Sequence, residues 1–116
     1  MSKGLELYKE FIDGLVGRKN GTDTQRILGK GYPDTEEKRP YNELIASLSE
    51  EQKQVLAKLV QGAREGGIHD TLAYMDEMID CDGLELLQNG EKFVTDSFDS
   101  MHYDFICRCE GDEWPE

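Results

Sequence analysis

The amino-acid sequence predicts a small, mainly α-helical domain of the α+β kind, with four to five helices and one short β-hairpin near residues 84–95. Three observations carry this expectation. Apolar residues recur at three- and four-residue spacing over much of the chain, a helix-capping pattern stands at Ser49–Gln52, and Asn89-Gly90 separates two short apolar runs. A length of 116 residues suits a single domain spanning 1–116 with one core. Hydrophobic residues make up 37% of the chain and charged residues 33%, so that core has to be built from amphipathic elements, with the aromatic residues as its main fillers.

The spacing of Leu5, Tyr8, Phe11-Ile12 and Leu15-Val16 predicts a helix from about Lys3 to Val16, closed by Gly17. Residues 18–40 carry Gly21, Gly29, Gly31 and Pro33 and then a charged run. They read as a long loop with at most one short turn, anchored by Ile27-Leu28 and a candidate for mobility or binding. A short helix with Leu44-Ile45 and Leu48 comes after Pro40. Ser49-Glu50-Glu51-Gln52 then starts a helix near Glu50, since the serine oxygen can accept the Gln52 backbone N–H while the glutamine returns to the serine N–H. The face Val55-Leu56, Leu59-Val60 and Ala63 resumes beyond Gly66-Gly67 as Ile68, Leu72, Met75 and Ile79. That interruption predicts two helices, bent or broken at the glycine pair.

Asp82-Gly83 ends this run, and Asn89-Gly90 suits a type I′ turn, in which both central residues need positive φ. Two strands alone are marginal, so the hairpin must pack on helices. Residues 97–109 fit both periods. A helix is preferred because Ser97 offers an N-cap, Asp99 suits the first turn and Gly111 closes the end. Trp114, in an otherwise polar tail, is expected to dock back on the domain.

The net charge is −12 and is uneven. Residues 1–33 balance at +2 and residues 34–66 at −2, whereas Gly67 to Glu116 hold fourteen acidic groups against Lys92 and Arg108. That distribution argues against binding nucleic acid through phosphates and points to a basic protein partner or a cation. No apolar run has the length of a membrane span, and Met1-Ser2-Lys3-Gly4 does not lead into a secretory signal, so the expected compartment is the cytoplasm, with no membrane partner. Cys81, Cys107 and Cys109 are an odd number and read as reduced thiols.

Motif by motif, the chemistry is sparse. Asp80-Cys81-Asp82-Gly83 looks like part of a calcium loop, but with Gly83 at the sixth position the first and twelfth fall on Met78 and Asn89, which supply no carboxylate. Cys107-Arg108-Cys109 has no second ligand pair for zinc. No Gly-x-Ser-x-Gly elbow, phosphate loop or cofactor motif occurs. Both histidines stand near acids. If His69 and His102 met in space, they and Asp70 and Asp99 would form a candidate metal or acid–base site.

Three stretches, Leu48-Ser49-Glu50-Glu51-Gln52, Gly67-Ile68-His69-Asp70 and Met101 through Pro115, resemble a family of small acidic bacterial proteins of unknown function. The likeness covers about half of the chain. It implies a bacterial cytoplasmic origin and brings no activity or catalytic residues. No enzyme class is indicated. The best reading of function is a non-enzymatic interaction module, immunity- or inhibitor-like, that presents its acidic C-terminal half to a basic protein. Asp99, Asp104, Glu110, Asp112, Glu113 and Trp114 are the candidate contact residues. The alternatives are a small metal-dependent hydrolase using His69 and His102 with neighbouring acids, and a homo-oligomer formed through surplus apolar helix faces.

Overall fold

The computed structural model describes residues 2–116. In chain order the elements are α1 (Lys3–Val16), α2 (Thr22–Leu28), α3 (Arg39–Ser47), α4 (Glu50–Asp82), β1 (Leu87–Gln88), β2 (Glu91–Lys92) and α5 (Met101–Cys109). The architecture is mainly helical with one small antiparallel hairpin, the class the sequence predicts. The chain forms two compact units. One comprises the N-terminal segment through Lys19 with Gly66–Glu116, and the other comprises Asn20–Glu65.

The larger unit is organised around α1. Ser2 caps it, its hydroxyl accepting the Leu5 N–H at 3.1 Å, and Gly17 succeeds its last turn. Leu7, Tyr8 and Ile12 are buried and meet Leu72 of α4, Phe93 beyond the hairpin, and Met101 and Phe105 of α5. Leu5, Phe11, Leu15 and Val16 pack at the margin of this cluster. The hairpin has the expected turn: Asn89 and Gly90 have φ of 53° and 81°, pairing Leu87 with Lys92 and Gln88 with Glu91. It docks against the start of α1, where Val94 N–H donates to the Gly4 carbonyl at 3.2 Å. A β-carbon on Gly4 would collide with the Lys92 carbonyl oxygen, so glycine is the residue that lets the helix and the strand approach this closely.

In the smaller unit α2, α3 and the first part of α4 enclose Ile27, Ile45 and Ala57, with Tyr32, Leu56 and Val60 beside them. The capping box forms as the sequence predicts: Gln52 N–H donates to Ser49 Oγ at 3.1 Å and Ser49 N–H donates to Gln52 Oε1 at 2.9 Å.

Three local expectations are corrected. The stretch 18–40 is not one long loop, because Thr22–Leu28 is helical between Gly21 and Gly29 and buries Ile27. The segment between α2 and α3 is pinned by Asn42, whose side chain accepts from Tyr32 N–H at 2.7 Å and donates to the Tyr32 carbonyl at 3.0 Å. Gly66-Gly67 does not break α4, which runs unbroken for 33 residues. Glycine weakens a helix interior by roughly 1 kcal/mol, but unlike proline it removes no donor and clashes with no preceding turn. The helix instead ends at Gly83, with φ of 72° and Leu84 N–H returning to the Met78 carbonyl at 3.1 Å. Finally, α5 begins after Ser100 and not after Ser97. Ser100 Oγ accepts the Tyr103 N–H, and Asp99 lies outside the helix. Gly111, at φ of 92°, stands beyond its end as expected.

Two glycines of the larger unit are predicted to respond in opposite directions. Gly4→Ala should cost about 1–3 kcal/mol through overpacking against β2. Gly67→Ala, where an added β-carbon meets nothing within 4 Å, should gain roughly 1 kcal/mol of helix stability. Urea midpoints of the two variants measure both.

Candidate functional site

The first N–H groups of any helix lack partners within it, and at α5 those groups are met by two side chains. Ser100 supplies one. Asp76, reaching across from α4, supplies the other: its carboxylate accepts the N–H of Met101 at 3.1 Å and of His102 at 3.2 Å. A carboxylate here also opposes the positive end of the helix dipole. Asp76 Oδ2 lies 2.6 Å from His102 Nδ1 as well, and because an ionised carboxylate only accepts, the ring presents Nδ1–H to it. His69 lies seven residues before Asp76, two turns away on the same face of α4. Its ring meets that of His102 edge-on, with centroids 5.1 Å apart.

The two histidines are therefore adjacent, which the sequence posed only as a condition. Of the acids named with them, Asp70 lies beside His69 at 3.2 Å, whereas Asp99 contacts Ser100 Oγ. Asp76 holds His102 instead. Sequence reading missed it because it is one of several acids in its stretch and only its heptad spacing from His69 marks it out. Among the described residues no three His, Cys, Asp or Glu side chains converge at a spacing suited to a metal ion. The three cysteines are free thiols.

The inner face of α5 carries a second polar feature. Asp104 is buried and accepts a short hydrogen bond from the Tyr8 hydroxyl. Burial raises the Asp104 carboxyl above its ordinary range, an effect the Tyr8 bond partly offsets. Burial first, and then the bond to Asp104, pushes the Tyr8 hydroxyl well above its ordinary value. This acid is committed to the fold through its bond to Tyr8.

The outer side of α5 and the C-terminal tail form a groove of about 420 Å³. Phe98, Tyr103 and Trp114 give it an aromatic lining, Asp99, Asp104, Asp112 and Glu113 give it acidic groups, and Arg108 gives it one cation. Trp114 is docked as expected, its ring 5.2 Å from Phe98 and 6.0 Å from Tyr8. Asp13 holds the tail in place, accepting from Trp114 Nε1 at 3.1 Å and from Arg108 Nε at 2.8 Å. The Arg108 and Lys9 charges lie 5.1 and 5.8 Å from the Trp114 ring, within cation–π range. Of the residues singled out as contacts, Asp99, Asp104, Asp112, Glu113 and Trp114 line this groove, Asp104 as a buried side chain bonded to Tyr8. Glu110 is exposed at the end of α5, outside it.

Across residues 1–116 the chain matches the model of a family of unknown function, DUF6547. The chain belongs to the DUF6547 family. No curated protein and no solved structure matches it. The resemblance seen over about half of the sequence thus extends to the whole DUF6547 chain. No helix of the described residues is long and apolar enough to cross a membrane.

The Tyr8–Asp104 pair gives this DUF6547 member a specific alkaline response. Tyr8 is raised above its ordinary value of 10.0, so below that pH it is neutral in both folded and unfolded chains. Above it the unfolded chain ionises first and stability falls. Tyr32, held at about 12 chiefly by its hydrogen bond to Asp23, adds to the same loss. Tyr8→Phe should flatten, without abolishing, the decline in unfolding free energy above pH 10. It should also cost about 1–3 kcal/mol at neutral pH by removing the side-chain donor to the buried Asp104. Urea unfolding as a function of pH measures both.

Proposed function

We propose that this chain is a non-enzymatic interaction module that takes a basic segment of a protein partner in the groove between α5 and the C-terminal tail. The observation that carries the reading is the groove's composition, an aromatic lining walled by Asp99, Asp112 and Glu113, whose carboxylates outnumber the one lining cation, Arg108. Aromatic faces and carboxylates are complementary to lysine and arginine side chains, which stack on the first and pair with the second. The unit that carries the groove has seventeen acidic side chains against six basic ones, so its field also draws a basic partner in from a distance. An immunity or inhibitor protein is the concrete form of such a module. A bacterial cytoplasmic setting belongs to the same proposal and rests on the family resemblance and the odd number of cysteines.

The contact between His69 and His102 favours a second reading, acid–base or metal-assisted hydrolysis with Asp76 as the carboxylate orienting His102. Stoichiometric metal in protein purified without chelator would carry that reading in place of the first.

Trp114 is the only tryptophan in the chain, so its fluorescence reports directly on the groove. A Lys/Arg-rich peptide should change that fluorescence saturably at low salt, with affinity falling as salt rises. The triple variant Asp99→Asn, Asp112→Asn, Glu113→Gln should weaken binding at least tenfold. A charge-matched control with Glu77→Gln, Glu91→Gln and Glu116→Gln, all outside the groove, should leave it nearly unchanged. Equal losses in the two variants would reduce the interaction to net charge, and no response to the peptide at low salt would remove the proposal.

A further inference from the structure

The smaller unit leaves an apolar face uncovered. On α4, Val55 and Leu59 are 66% and 68% exposed; Leu44 of α3 is 53% exposed and Leu28 of α2 is 40% exposed. Val55 and Leu59 form a ridge with a groove on either side. One groove runs past Leu28 and Gly62, and the other past Leu44 and Leu48. Exposed apolar side chains gathered in this way mark an interaction surface, unlike ones scattered singly.

Gly62 continues the ridge, since Val55, Leu59 and Gly62 are spaced by four and then three residues and share one side of the helix. A β-carbon on Gly62 would meet nothing within 4 Å, so no contact inside the chain accounts for a helix-weakening residue there. Immediately beyond a bulky ridge it forms a notch, which is the feature that close approach by another helix uses. Lys58 and Glu65 stand seven residues apart along the edge of the same ridge. Neither has an ion-pair partner among the described residues.

We infer that this face is a homodimer interface in which α4 packs antiparallel against α4 of a second copy. Three observations select a second copy as the occupant. The face carries both the knob, Leu59, and the notch, Gly62, so a two-fold axis between them sets each copy's Leu59 over the other's Gly62, as a self-complementary interface requires. The same register brings each Lys58 against the other copy's Glu65, so the apolar and the charged features agree on one alignment. The unit is also electrically balanced, with seven basic against eight acidic side chains. Two copies of a chain of net charge −12 can therefore meet here without strong like-charge repulsion at the contact.

The test is the mass of the full-length protein in solution by size-exclusion chromatography with light scattering, and its dissociation constant by analytical ultracentrifugation. The expected result is twice the chain mass at micromolar concentration. Leu59→Glu and Gly62→Leu should each weaken association at least a hundredfold while circular dichroism still shows a folded helical protein. Lys58→Glu and Glu65→Lys alone should each weaken it about tenfold, and the double swap should recover most of that loss. A monomer up to hundreds of micromolar overturns the proposal and leaves the face to a different partner. A dimer indifferent to Leu59→Glu and Gly62→Leu overturns it equally, and failure of the double swap to recover affinity overturns the antiparallel register.

Discussion

The hydrogen bond from Tyr8 to Asp104 holds the larger unit in its particular arrangement. Asp104 is the one charged side chain that is buried among the described residues, and an acid in apolar surroundings is costly unless a donor reaches it. Tyr8 reaches it from α1. Around this pair, Ile12 packs with Met101 and Phe105, so the apolar contacts supply the attraction between α1 and α5 and the polar pair supplies the register. Sliding α5 by one residue along α1 would bury two polar groups without partners, a loss that apolar repacking does not recover. With α5 fixed, the groove on its outer side acquires a fixed shape.

The acidity of the chain resolves into two populations. Asp13, Asp76 and Asp104 are structural: the first ties Arg108 and Trp114 to α1, the second caps α5 and orients His102, and the third receives Tyr8. Asp99, Asp112 and Glu113 pair with no cation among the described residues, yet they line one groove beside exposed aromatic surface. Leaving several carboxylates unpaired around a concave aromatic site costs stability through mutual repulsion, and a basic segment bound there would relieve it. The proposed function rests on this second population.

Much of the fold was legible in the sequence because its determinants are local. The reciprocal bonds of Ser49 and Gln52, the positive φ of Asn89 and Gly90, and the glycine ends of α1 and α5 each depend on a few neighbouring residues. The misreadings share the opposite character. Thr22–Leu28 is helical although flanked by glycines, because burying Ile27 against Ile45 and Ala57 outweighs weak local propensity. Gly66-Gly67 stays helical because the surrounding turns keep their hydrogen-bond ladder. At the candidate site, the aromatic and acidic residues of 97–115 could be named from the sequence, but not that Asp104 among them is buried and bonded to Tyr8. Likewise, the meeting of His69 with His102 was posed from the sequence, while the part of Asp76 depends on how α4 crosses the start of α5, and no local pattern encodes that.

If the α5–tail groove is the working surface, a ligand leaves its mark there and not across the acidic half at large. Backbone amide and indole resonances of isotopically labelled protein, tracked during titration with a Lys/Arg-rich peptide, locate it directly. Saturable shifts should be concentrated in residues 97–115 and in the Trp114 indole, with Asp70, Glu77, Asp80 and Glu91 little affected. Shifts spread evenly over the acidic residues from 70 to 116, or centred away from Trp114, would contradict that assignment.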